Sequence, residues 1–527
     1  MIPPDWESES IMQQLLLKSL KSETLAPALP DDIGSQLAQT VIGPLAEVEV
    51  YPRSITGVDR SLYFLGRRDG KKYVGVISGT IPQNHASQTY RTIQINNAKL
   101  QLALILADSE AADMLKASLP FLKPRVIGPI PSAGCGDRLG LATPGHVRAL
   151  VKTQLGAVLC QQSVRENSRT GRSPRQVLDD ATWGAWQEGW RRGYGADADH
   201  LKTESQIDTF VEAGYTFYTV DAGDHMDGEA DSADGPLLEA KTNALPWDRL
   251  QSTPGDLIHE LTRRPVELDG FKVQLSRAEV LRAAAKYGAV VAHTFAMYRH
   301  LCRAMGPGSF EFEVSVDETD SATTLAEHIY IAVELARLGV VCTSLAPRFV
   351  GDFEKGVDYI GDIGAFEASF KRHAALARAY GNYKLSLHSG SDKFAIYPVV
   401  ARHTRGLIHL KTAGTSYLEA LRTVAEHRPG LFRDIFEFCG TRYADDRQSY
   451  HVSAKIDRLP VVSLLPDADL PAVLNDFHAR EVLHVTYGSV LKNPPLYQVL
   501  YDVLHRYENA YGENLERHFD RHFALLR

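Results

Sequence analysis

Beyond about residue 125 the chain settles into one rhythm, in which short β-rich runs are separated by stretches of helical periodicity. The runs are RVIGPI, AVLCQQ, TFYTVD, FEFEVSVD, VVCTSLA, YKLSLH, LIHLK and YHVSA, eight in all. Between them, TTLAEHIYIAVELARLG, FEASFKRHAALARAYG and YLEALRTVAEH place apolar residues three and four apart, and the second ends on a glycine that stops a helix. Eight strands alternating with helices close most simply into a (β/α)8 barrel of the TIM type; a doubly wound open sheet is the other alternating arrangement. The barrel is favoured because polar, reactive residues stand at the last positions of nearly every run, the end where barrel enzymes keep their active sites.

The first 120 residues read differently. IMQQLLLKSL is amphipathic, and SLYFLGRR and KKYVGVISG are strand candidates joined by the turn RDGK, with few reactive residue types nearby. Residues 1–120 are therefore expected to form an accessory α/β domain and 121–527 the barrel, with FLKPRVIGPIP as the junction. DGEADSADGP reads as a solvated loop, and Trp183, Trp186 and Trp190 as one face of a buried helix. With 57 Lys+Arg against 65 Asp+Glu, the net charge of −8 excludes a generic basic nucleic-acid binder. Five scattered cysteines without a C-x-x-C pair point to a reducing compartment. The string MIPPDWESESIMQQ is acidic where a signal peptide is basic, and no apolar run approaches the roughly 18 residues of a membrane helix. A cytoplasmic protein with no membrane or nucleic-acid partner is the expectation; the oligomeric state stays open.

Alternate residues of a strand share a face, so the runs can be split into sets. FEFEVSVD puts Glu311, Glu313, Ser315 and Asp317 together, YKLSLH groups Lys384, Ser386 and His388, and LIHLK pairs His409 with Lys411. YHVSA sets His451 beside Ser449 and Ser453, and TFYTVD sets Thr219 beside Asp221. An acidic strand face between helices is costly unless it looks into a polar site. A carboxylate with imidazoles from different strands suits a divalent metal that leaves positions open for substrate; Glu313, His388 and His451 are the first choices and Asp221 the fourth. A lone strand histidine is more often a hydrogen-bonded core residue. Lys411 reads as a Schiff-base nucleophile, a carboxylate-binding cation or, most commonly for such a lysine, an internal salt-bridge partner. QQSVRENSRTGR places Arg165, Arg169 and Arg172 with Glu166 and Asn167 in one loop, either a clamp for an anionic or polyhydroxy substrate or a solvated charged loop. GADADH and DAGDH pair carboxylate with imidazole, or serve as turns and caps. GCGDRLG has the spacing G-x-G-x-x-x-G, so neither a dinucleotide fingerprint nor a P-loop is present.

Taken together, QQSVRENSRTGR, DDATWGAWQEG, GADADH, FEVSVDETD, LHSGSDKF, HLKTAGTSYLEA, YHVSA and HVTYGSVL resemble the tagaturonate/fructuronate epimerase family, over about residues 125 to 492. The resemblance implies a metal-dependent 4-epimerase of hexuronate catabolism, some members of which also act on tagatose and fructose. It carries Glu313, His388 and His451 over as ligands of a divalent cation (zinc, manganese, nickel or cobalt). Asp221, Glu166 and Lys411 are then the catalytic candidates. Arg165, Arg169, Asn167, Gln162, Asp392 and Lys393 are the substrate-binding ones, while His484 and Tyr487 either line the site or pack against a neighbouring element. In a 2-keto hexuronate the carbonyl acidifies the hydrogen on C3 but not that on C4, so deprotonation alone cannot invert C4. Retro-aldol cleavage of C3–C4, rotation of the aldehyde and re-addition on its other face is the expected route. It needs a base for the C4 hydroxyl and a cationic clamp from Arg165, Arg169 and Lys411. The rivals are an aldolase, metal-dependent or using Lys411 as a Schiff base, and a non-catalytic sugar-binding barrel.

Overall fold

The computed structural model describes residues 5–80, 89–524 and 526, so parts of the expected accessory domain, including the first four residues of the N-terminal string read for targeting, lie outside it. Six strands form an antiparallel sheet: β1 Glu49–Val50, β2 Thr56–Val58, β3 Ser61–Arg68, β4 Lys71–Ser78, β5 Arg91–Ile95 and β6 Ala98–Leu106, in the order β1-β3-β4-β6-β5 with β2 on β3. RDGK makes the β3–β4 turn, with Asp69 at φ 51° and Gly70 at φ 75°, the left-handed pair that matches the twist of a two-residue hairpin. The sheet is buried on both faces. Leu62 and Phe64 pack against the N-terminal helices, whereas Tyr63 and Leu65 join the large core shared with the barrel.

Eight parallel strands close the barrel: β7 Ser132–Cys135, β8 Gly156–Ser163, β9 Gly195–Leu201, β10 Phe217–Asp221, β13 Glu311–Val316, β14 Ser344–Pro347, β15 Lys384–Leu387 and β16 Ile408–Thr412. A small hairpin, β11 Val266–Leu268 and β12 Phe271–Val273, and the long helix Arg277–Met305 fill an insertion between β10 and β13. Six of the eight expected runs are barrel strands and two are not. RVIGPI is not a strand, because Pro124, Pro129 and Pro131 remove ladder donors around it. It runs under the N-terminal mouth of the barrel, where the N–H groups of Ile127 and Gly128 donate to Glu311 at 2.7 and 3.2 Å. Glu311 also pairs with Lys384 at 3.4 Å, so the lower half of the expected polar faces tethers this segment. YHVSA is not a strand either: the N–H groups of Ser453 and Ala454 donate to the Glu481 carboxylate at 3.0 and 2.7 Å instead of to a neighbouring strand. SAGC and GADADHL take the two places.

Other local expectations change as well. QQSVRENSRTGR is not a loop beyond its strand: Ser163 caps the helix Val164–Thr170 and Glu166 completes the capping box. The acidic insertion is tied down rather than simply solvated, with Asp231 2.8 Å from buried Lys286 and Asp227 2.5 Å from Lys241. Trp183 and Trp186 are buried on the helix Pro174–Gln187, and Trp190 is buried just beyond its end. Among the described residues no helix is long and apolar enough to cross a membrane.

Candidate active site at the C-terminal mouth of the barrel

Because all eight strands run parallel, their last residues converge at one end, and a cavity of about 680 Å³ opens there, a size suited to a small-molecule ligand. Gln161 of β8, Asp199 and His200 of β9, Asp317 after β13, His388 after β15 and Lys411 of β16 form its floor. Its roof includes Gln448, Ser449, Tyr450 and His451. His200 at φ 59° and Ser389 at φ 49° adopt the left-handed backbone that side-chain-bearing residues avoid. Such conformations, held by their surroundings, gather at functional sites.

Lys411 is the hub of the floor. Its ammonium lies 2.8 Å from Asp197, 2.6 Å from Asp199 and 2.9 Å from Glu313, and donates to Thr219 Oγ1 at 2.6 Å. Burial works against its charge but the three carboxylates outweigh it and hold the ammonium well above the usual lysine range. That is the opposite of what a Schiff-base nucleophile requires. Glu313, buried on β13, also accepts from Ser344 Oγ at 2.5 Å and faces His388 Nε2 at 2.7 Å.

His200, Asp317 and His388 each offer a donor atom toward a common point. His200 Nδ1 lies 2.9 Å from Asp199 and His388 Nδ1 lies 2.9 Å from Asp317, yet both nitrogens are buried without an aligned hydrogen bond. Close approach without alignment is the arrangement of donors around a shared cation. Charge points the same way. Asp199, Glu313 and Asp317 are held low while burial raises Asp197 to about 7, so the ionised carboxylates still outnumber the single ammonium of Lys411. The protein's own protons respond: burial opposes it, but Asp317 and Glu313 push the His388 imidazole up to about 10. His200 is raised by Asp199, again against burial. A divalent cation would supply the same compensation, so the donor set fits one. Glu313 does not line the cavity; it stands behind His388 Nε2, the position of the carboxylate that orients a ligating histidine.

The other residues singled out in the sequence divide sharply. Arg165 lines the cavity and pairs with Glu318 at 2.8 Å. His451 reaches only the rim: its side chain is 70% exposed and 3.5 Å from Asp352, since YHVSA is roof and not a barrel strand. Asp221 turns into its own loop, accepting from Gly223 N–H at 2.9 Å with Lys202 3.4 Å away. Glu166 is committed to its capping box and to Arg138 at 2.9 Å. Neither carboxylate lines the cavity. Arg169 faces Ser449 and Tyr450 from behind the roof, and Gln162 bonds Thr170 at 3.3 Å. Asn167 is buried on the same helix, away from the cavity. His484 and Tyr487 are buried against Arg138, 3.2 Å from His484 Nε2 and stacked 3.7 Å over the Tyr487 ring. Lys393 donates to the carbonyls of Glu354, Val357 and Ser391, and burial lowers its pKa to about 8. Asp392 pairs with Arg480 at 2.9 Å and His518 at 3.0 Å, locking the last helix, Glu508–Ala524, against the barrel. His200, Asp199 and Asp317 had a signal in GADADH and in the acidic face of FEFEVSVD. Lys355, which lines the cavity and donates to Ser389 Oγ at 2.6 Å, had none in its loop sequence DFEKG.

The model of the tagaturonate epimerase family matches residues 51–526. A tagaturonate/fructuronate epimerase of Thermotoga maritima is 40% identical over 478 residues, covering 91% of this chain and 97% of the relative. Crystal structures of the fructuronate-tagaturonate epimerase UxaE of Cohnella laeviribosi, native and complexed with glycerol, match with a TM-score of 0.84 at 33% identity. They cover 93% of this chain and 99% of theirs. With a barrel whose reactive side chains meet in one cavity and a family match across nine-tenths of its length, the chain belongs to the tagaturonate epimerase family.

Proposed function

We propose that this protein interconverts tagaturonate and fructuronate by inverting C4, with a divalent cation held by His200, Asp317 and His388. The observation that carries the reading is the convergence of these three donors, with Glu313 behind one of them, at the floor of a cavity whose walls bear cations suited to an anionic sugar. The cation, when bound, supplies Lewis-acid stabilisation of negative charge on the oxygens at C2 and C3 of the substrate. The chain does the rest. A wall carboxylate takes the proton of the C4 hydroxyl; the C3–C4 electron pair then passes toward C2 as the bond breaks, leaving an aldehyde at C4. Glu318 is our choice for that carboxylate, because it stands on the cavity wall where Asp221 and Glu166 do not. After the aldehyde turns, C3 re-attacks its other face and the proton returns to the C4 oxygen, so nothing is gained or lost overall. Lys411 helps keep Asp199 and Glu313 ionised and is not a covalent nucleophile. We place the reaction in the cytoplasm, which suits five cysteines that are all unpaired.

The test is incubation of metal-loaded protein with each uronate, chromatographic separation of the C4 epimers and metal analysis. Conversion without bound metal would sink the cation assignment. Loss of C4 deuterium to solvent would sink the retro-aldol route, and no conversion of either uronate would sink the function.

A further inference from the structure

We propose that Lys355 binds the carboxylate of the sugar acid and thereby sets a preference for the uronate over the neutral ketose; this rests on the epimerase reading above. The cations around the cavity are unequal. Lys411 is enclosed by three carboxylates, Arg165 is paired with Glu318 at 2.8 Å, and Arg348 lies 3.7 Å from Asp352. Among the lysines and arginines described as lining the cavity, Lys355 alone has no carboxylate at ion-pairing distance. Lys355 is half-buried, and its ammonium spends one of three N–H groups on Ser389 Oγ. An ammonium withdrawn from water with two donors uncommitted is costly until an anion meets it.

Its position ties that anion to the chemistry. Ser389 follows His388 directly, so the ammonium is fastened beside the imidazole assigned to the cation site. Cleavage of C3–C4 leaves the carboxylate on the C4–C6 aldehyde, the fragment that must turn without escaping. A charge-assisted bond to its far end permits rotation about the C4–C5 axis while preventing loss. A neutral ketose has only a hydroxyl to offer there. None of the arginines singled out in the sequence has this freedom: Arg165 already has its carboxylate, Arg169 lies behind the roof, and Arg172 is paired with Asp180 at 2.5 Å away from the cavity.

The experiment uses metal-loaded wild type, Lys355→Met and Lys355→Arg. It measures kcat/KM for tagaturonate and inhibition by gluconate and glucitol, six-carbon chains that differ by a carboxylate. Lys355→Met should weaken gluconate inhibition and kcat/KM for tagaturonate about 10- to 100-fold. Glucitol inhibition should stay within about threefold, and Lys355→Arg should recover most of the loss. Equal weakening of gluconate and glucitol, or unchanged gluconate inhibition in Lys355→Met, would overturn the assignment. If gluconate binds through Lys355 but wild type converts neither uronate, the carboxylate site stands and the epimerase reading fails.

Discussion

His200, Asp317 and His388 at the cavity floor, and Asp392, His518 and His522 behind the loop that follows β15, have the same composition: one aspartate and two histidines within reach of a common point. Asp392 lies only four residues beyond His388 in the chain. In the second cluster the imidazoles are already engaged by the chain and the carboxylate is neutralised by an arginine. His522 uses both ring nitrogens on main chain, accepting from Asp392 N–H at 2.9 Å and donating to the His518 carbonyl at 3.0 Å. Burial lowers its pKa to about 3, so it stays neutral. His518 meets Thr415 at 2.6 Å and Glu419 at 3.4 Å, and Asp392 is held by Arg480. In the first cluster the Nδ1 atoms are close to carboxylates but unaligned. What separates a lock from a candidate ligand set is therefore whether the imidazole nitrogens are already committed to the chain.

The strongest way to break this contrast is to remove one member of each cluster. His388→Ala should lower epimerisation by at least about 10³-fold and strip the bound metal. Asp392→Ala should do the reverse. It leaves Arg480 and His518 buried without their partner, at roughly 3 kcal/mol, seen as a lower melting temperature, while the metal-to-protein ratio holds. Loss of metal from Asp392→Ala, or retention in His388→Ala, would erase the distinction.

Glu313→Gln sharpens the comparison at intermediate size. A carboxylate that orients a ligating imidazole should cost about 10- to 100-fold in metal affinity when neutralised, with full stoichiometry at saturating metal; loss of the site altogether would make Glu313 a direct ligand. The pH dependence gives a smaller effect. His388 is raised in the folded chain, so the stability it contributes is fully present below the unfolded histidine value of about 6.5. That stability fades as pH rises through about 10. Thermal melts of chelated protein should fall across that window, and melts of metal-loaded protein should not. Smallest of all, His451→Ala should leave metal content unchanged and activity within about threefold, since its exposed pairing with Asp352 is worth little; kinetics and metal analysis together check it.

The barrel was legible because six of its strands carry enough β-branched and aromatic residues to declare themselves. GADADHL escaped because two aspartates among small residues oppose strand propensity, and the same aspartates are among the partners that commit Lys411. RVIGPI looks like a strand because its residues are apolar, but Val126 and Ile130 are exposed and it is the main chain of Ile127 and Gly128 that meets Glu311 at the barrel's lower mouth. Within the site, His388 and Asp317 could be read from period-two splitting, which finds every side chain facing inward. That splitting does not find height along the barrel axis, so Glu311 and Lys384 at the bottom looked equivalent to Glu313 and His388 near the top. Nor does it find what a side chain has already bonded: Glu166 and Asp221 stand beside reactive motifs, yet both carboxylates are spent on their own loops and helix ends. Lys355 was invisible because a lysine in a loop has no periodicity to betray it.

The lock made by Asp392 with the final helix also bears on the order in which the molecule becomes competent. That helix spans Glu508–Ala524 and reaches the loop a few residues past His388. During synthesis, a ribosome that has delivered all eight strands still holds the segment that pins this loop. The loop past His388 is thus pinned by a segment made after all eight strands, and a nascent chain can close its barrel before this loop is fixed.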